Sequence, residues 1–222
     1  MRGALTKLIP PFIKRILVER IFLWLEAYWK KIAGSIPKYE LEAIHIKNTQ
    51  ILLDRKQLLE KLPKNSIVAE IGVNKGEFSA EILALNNPQK LHLIDAWSSS
   101  RYNQDIMNSV KLRFNQDQRV IINCGFSTEM AHEFQDAYFD WIYIDSDHSY
   151  AVTADELANY APKVKPNGII AGHDYIVGNW NKMVRYGVIE AVYEFCVKEN
   201  WELLYITAEN KENPSFAIRK IG

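Results

Sequence analysis

"VAEIGVNKGEFSAEIL", residues 68–83, decides the fold. A β-forming apolar run reaches Gly72, a second glycine follows at Gly76, and a helical pattern opens on the acidic Glu77. Glycines let a backbone turn tightly and approach a ligand, while the start of a helix aims free N–H groups at the same spot. Glu70 precedes the first glycine by two residues, and Asn74 stands where a dinucleotide fingerprint requires its second glycine. Gly-x-Gly-x-x-Gly is therefore absent. On its own this stretch reads either as a ligand-binding strand–turn–helix or as a plain tight β–α turn.

Outward from it, short apolar runs alternate with helical patterns, the mark of βαβ units and a parallel sheet. Strands are expected at 67–71, 91–94, 120–123, 141–144 and 169–171, with helices near 76–85, 103–115, 128–134, 153–160 and 187–199. Two last runs, 202–206 and 215–219, are joined by a link too short for a crossover helix, so they should pair antiparallel. The predicted fold is α/β: a doubly wound sheet of five parallel strands plus an antiparallel closing pair. Ahead of it, a helical segment over 41–62 ends at Pro63. The expected organisation is a helical extension over 1–65 and a sheet domain over 66–222.

In such sheets ligands bind at the carboxyl ends of the strands, so the residues there carry the functional reading. "LHLIDAW", residues 91–97, ends the second strand in Asp95, 23 residues after Gly72. A carboxylate in that place can accept both hydroxyls of a ribose, and Ala96 and Trp97 continue the same loop. "NCGFSTEM", residues 123–130, offers Gly125 and Phe126 as an adenine border, with Ser127 or Thr128 as a helix cap. "FDWIYIDSDHSY", residues 139–150, delivers Asp145, Asp147 and His148 after a core strand, with Asp147 facing solvent or capping the next helix. "NGIIAGHDY", residues 167–175, ends the neighbouring strand in His173 and Asp174. Asp145, His148, His173 and Asp174 then share one rim, able to bind a divalent cation or, without metal, to act through a His148–Asp174 acid–base pair.

These motifs bear a resemblance. Residues 66–220 resemble class I S-adenosylmethionine-dependent methyltransferases: "EIGVNKG" is similar to their first motif and "LIDAW" to their second. More narrowly, "FDWIYIDSDHSY" and "VKPNGIIAGHDY" are similar to metal-dependent O-methyltransferases of the catechol and macrolide-sugar type. The resemblance implies a Rossmann-like fold and S-adenosyl-L-methionine as cofactor, bound by Glu70, Gly72, Asn74, Gly76, Asp95, Ala96, Trp97, Phe126 and Ser127. It also implies Mg²⁺, or Mn²⁺, held by Asp145 with His173 and Asp174, and a catalytic base at His148. Two departures stand out: His173 occupies a position that generally carries a carboxylate, and Phe126 replaces a common acidic residue.

The expected activity is methyl transfer to a hydroxyl of a small molecule, with the imidazole in the base position favouring a sugar or other alcohol over a catechol. Residues 175–187, long and aromatic, are expected to cover the acceptor. Two rivals remain: an NAD-dependent oxidoreductase, and a non-catalytic nucleoside-binding or membrane-recruited protein on the same fold.

Composition bounds the rest. Of 222 residues, 48% are apolar and 24% charged, with a formal net charge of zero, which argues against a nucleic-acid binder. Residues 1–40 nonetheless hold eight Lys/Arg against three Glu. The two cysteines, Cys124 and Cys196, fit neither a disulfide framework nor a zinc site, and point to a reducing, cytoplasmic setting. No signal peptide or spanning segment is expected. Residues 12–32 have apolar residues at helical spacing with basic ones between them. That helix is expected to pack or to join a homo-oligomer, with peripheral membrane contact as the alternative.

Overall fold

The structure, a computed structural model, describes residues 10–179 and 183–222. It comprises two compact units, Met1–Pro37 and Lys38–Gly222. The first contains helix α1 (Pro11–Ser35), started by a proline whose φ suits the first turn. Ion pairs one turn apart, Arg15–Glu19 at 3.0 Å and Lys30–Glu26 at 2.7 Å, run along it.

The second unit opens with α2 (Ala43–Ile46), β1 (Gln50–Leu52) and α3 (Arg55–Lys61). The alternation then runs β2 (Ile67–Ile71), α4 (Glu77–Asn86), β3 (Lys90–Asp95), α5 (Gln104–Arg113), β4 (Val120–Cys124) and α6 (Ser127–Met130). It continues with β5 (Phe139–Ile144), α7 (Tyr150–Tyr160), β6 (Val164–Gly172), the two-residue strands β7 (Gly178–Asn179) and β8 (Val184–Arg185), and α8 (Val188–Glu199). The hairpin β9 (Trp201–Thr207) and β10 (Phe216–Lys220) closes the chain.

One sheet has the order β1-β9-β10-β6-β5-β2-β3-β4, and β7-β8 form a separate pair. Strands β6, β5, β2, β3 and β4 are mutually parallel, whereas β10 runs antiparallel to both β6 and β9. The expected five parallel strands and antiparallel closing pair are therefore present. Strand β5 explains the arrangement: Trp141 and Tyr143 pack on one face with Leu58, Phe78 and Val110, while Ile142 and Ile144 pack on the other with Leu157 and Val192. A strand apolar on both sides needs helices on both sides.

Two expectations are corrected. The helical segment predicted over 41–62 is instead helix, strand, helix. Asp54 interrupts it, its side chain accepting from Gln57 N at 2.8 Å to start α3. Strand β1 pairs parallel to β9, Gln50 opposite Tyr205 and Leu52 opposite Thr207. Thr49 Oγ1 donates to Leu203 O and Asn48 Nδ2 to Glu202 Oε2, each at 2.7 Å. In consequence the division falls after Pro37, not after residue 65, because 38–65 belongs to the sheet unit.

Candidate active site

The parallel strands extend their ladder one residue past their ends. Gly72 N donates to Ile94 O at 2.8 Å, Asp145 N to Ile71 O at 2.7 Å, and His173 N to Ile144 O at 2.9 Å. This places Gly72, Asp145 and His173 side by side. Gly72 has φ +90°, and a Cβ there would lie 2.1 Å from the Asp145 carbonyl oxygen, so only glycine fits.

Above these ends lies a cleft of roughly 630 Å³, a size suited to a small cofactor. Of the predicted cofactor residues, Glu70, Gly72, Asn74, Asp95, Ala96, Phe126 and Ser127 line it. Gly76 and Trp97 stand behind the wall. Gly76 (φ +70°) closes the turn through its N–H to Val73 O at 2.9 Å, and Trp97 Nε1 donates to Asn74 O at 3.1 Å. Asp95 organises the loop: its Oδ2 accepts from Val73 N at 2.9 Å and Asn74 N at 3.0 Å, and its Oδ1 from Trp97 N at 2.9 Å. Glu70 is buried and accepts from the Ser79 hydroxyl; burial pushes its carboxyl up to about 8, so it is largely protonated at neutral pH.

The rim carries charge. His148 Nε2 lies 2.9 Å from Asp174 Oδ2, and His173 Nδ1 lies 3.6 Å from Asp174 Oδ1 and 3.7 Å from Asp145 Oδ1. Burial works against charge on Asp174, but the hydrogen bonds from His148 and His173 outweigh it and hold the carboxyl well below its usual range. Burial raises Asp145, with the neighbouring Asp174 adding to the rise. For both imidazoles burial opposes protonation, yet contact with Asp174 wins and raises their pKa. Candidate ligand atoms of Asp145, His148 and Asp174 all lie within 4.8 Å of one another. His173 and Asp174 do not line the cleft itself.

Residues 69–175 match the family described as "Methyltransferase domain". Solved structures share the fold. A SAM-dependent methyltransferase from Aquifex aeolicus is 13% identical, with TM-score 0.57 over 75% of this chain and 89% of that one. The B. subtilis M1A22 tRNA methyltransferase is 14% identical, with TM-score 0.56 over 77% and 67%. The methyltransferase CalH, solved with S-adenosylhomocysteine, is 14% identical, with TM-score 0.54 over 75% and 55%. Residues 69–175 of this chain are a methyltransferase domain. Among curated proteins, none matches the sequence.

Residues that sequence reading missed also stand around the site. Arg55 lies over the Phe78 ring at 4.3 Å, pairs with Glu212 at 2.8 Å, and places Nη1 3.9 Å from Asp145 Oδ2. Asn213 Nδ2 donates to Asp174 Oδ1, and the Tyr186 ring sits 4.8 Å from His148. Glu156 is buried under the loop after β5, accepts from the Ser146 hydroxyl, and is pushed by burial to about 7. None of these carries a local motif; Arg55, Tyr186 and Asn213 arrive from distant elements, and Glu156 from the helix that follows the loop.

Helix caps differ from expectation. Helix α6 begins at Ser127, so neither Ser127 nor Thr128 caps it. Asp147 is exposed and accepts from Ser149 N at 2.8 Å, while Ser149 itself caps α7. Of the predicted acceptor cover, residues 180–182 lie outside the described residues.

Proposed function

We propose that this methyltransferase is a divalent-metal-dependent O-methyltransferase acting on a hydroxyl of a small molecule, a sugar or other alcohol ahead of a phenol. The observation that carries the reading is the meeting of Asp145, His148 and Asp174 within 4.8 Å, beside the Gly72 turn. Two carboxylates with imidazoles adjacent form a donor set that fits Mg²⁺ or Mn²⁺. His173 Nδ1 lies 3.7 Å from Asp145 and 3.6 Å from Asp174, while its Nε2 is buried with no partner among the described residues.

Asp145 and Asp174, with His173 beside them, would hold the cation. When bound, it supplies positive charge that lowers the pKa of a hydroxyl. His148 would accept the acceptor's proton at Nε2, the atom that lies 2.9 Å from Asp174 Oδ2, and that contact orients the ring. The oxygen lone pair forms the new bond to the sulfonium methyl carbon as the carbon–sulfur bond breaks, leaving S-adenosylhomocysteine. The cleft's main contribution is alignment of oxygen, carbon and sulfur. RNA, named for the B. subtilis neighbour, is disfavoured here because the net charge is zero.

The test is methyl transfer from labelled S-adenosylmethionine to a panel of sugars, alcohols, phenols and a tRNA pool, with and without chelator. Transfer to a small hydroxyl compound, lost in EDTA and restored by Mg²⁺ or Mn²⁺, is the expected result. Full activity in chelator removes the metal from the reading, and methylation of tRNA alone overturns the substrate class.

A further inference from the structure

Helix α1 presents a surface that the methyl-transfer site does not use. At about 100° per residue, Arg15, Glu19, Glu26 and Lys30 fall on one narrow stripe, and the two ion pairs along it neutralise both carboxylates. The remaining circumference is mostly apolar, with Lys14, Arg20 and Lys31 set among the apolar side chains. Ile16, Leu17, Ile21, Phe22, Trp24 and Tyr28 are all exposed, Trp24 at 65%. Contiguous exposed apolar surface of this extent marks a docking surface.

What covers it is decided by charge and by length. Residues 1–37 hold seven Lys/Arg against two Glu, a surplus of five. A second copy of the same segment would bring like charge to like, whereas anionic headgroups complement it. Among the described residues no helix is long and apolar enough to cross a membrane. Aromatic side chains cluster on the helix, Trp24 stacked on Tyr28 at 5.6 Å and Trp29 against Tyr28 at 5.8 Å, and such residues favour the boundary between headgroups and acyl chains. We propose that α1 docks this protein on an anionic lipid surface, its apolar side chains entering the interface and its lysines and arginines reaching the headgroups.

The experiment is flotation of the full chain with phosphatidylcholine vesicles and with vesicles containing phosphatidylglycerol, alongside light scattering without lipid. The chain should float only with the anionic vesicles, and release should rise with salt. The double substitution Lys30→Glu with Lys31→Glu should weaken binding at least about tenfold, because each basic residue near an anionic surface contributes measurably. Ile21→Ser with Trp24→Ser should abolish flotation. Unchanged circular dichroism and S-adenosylhomocysteine binding in both variants show that folding is intact. Equal binding to both vesicle types overturns the electrostatic recognition. An oligomer formed without lipid, dissociated by Ile21→Ser with Trp24→Ser and unable to float, overturns the proposal in favour of a second copy.

Discussion

The two halves of the crevice are built on different physics. On the cofactor side, Asp95 is held by three backbone N–H groups, and Glu70 is a protonated acid tied to Ser79. On the rim, Asp145 and Asp174 are balanced by His148, His173 and Arg55, side chains that titrate or move. The first half is a hydrogen-bonded mould whose shape exists before any ligand arrives. The second is a charge cluster whose members answer to one another, and its composition suits proton transfer.

The comparison can be broken by substitutions on either side. The largest effect is expected on the rim: His148→Ala should lose about 10²–10⁴-fold in turnover while S-adenosylhomocysteine affinity, measured by calorimetry, stays close to native. A comparable loss of affinity would show that the halves are not separable.

Next comes the seam between them. Gly72→Ala forces a Cβ onto the Asp145 carbonyl and strains a positive φ, so chemical denaturation should show a loss of roughly 3 kcal/mol or more. An unchanged midpoint would mean that the strand ends separate readily.

A smaller effect belongs to the mould. Asp95→Ala should weaken S-adenosylhomocysteine binding by about 1.5–3 kcal/mol, since charge-assisted hydrogen bonds are lost and three backbone amides are released. The same variant retaining native affinity would place the ribose elsewhere.

Per pH unit, the smallest effect is a slope. Glu70 has its carboxyl raised from 4.5 to about 8 in the fold, so between those values the folded state keeps a proton that the unfolded chain gives up. Stability should therefore fall as pH rises through that window, by up to about 1.4 kcal/mol per pH unit. Glu70→Gln should flatten this part of the stability profile, read from denaturation midpoints at a series of pH values. A profile identical to native would show that Glu70 is not the titrating group.

Much of this was legible in the sequence because it lies in strands and in the residues that end them. Ile67–Ile71 is a short apolar run before a glycine, and the observed strand has the same bounds. The shared rim of Asp145, His148, His173 and Asp174 followed from the parallel order alone. Strand β1 was not legible: three residues are too few to show a period of two, and its partner β9 lies some 150 positions away. Arg55 and Asn213 were hidden for the same reason, since contacts between distant elements leave no local trace. The exposure of α1 was equally unreadable, because an apolar stripe looks alike whether it is covered or not.

Strand β1 has a practical consequence for anyone trimming the chain. Cutting at residue 65, just ahead of the first motif, removes the strand that covers the free side of β9 and takes Arg55 from beside Asp145. The bared β9 would present an open row of N–H and C=O groups, a template for pairing with another molecule. Such a fragment is expected to precipitate, and a fragment starting at residue 38 to remain dispersed.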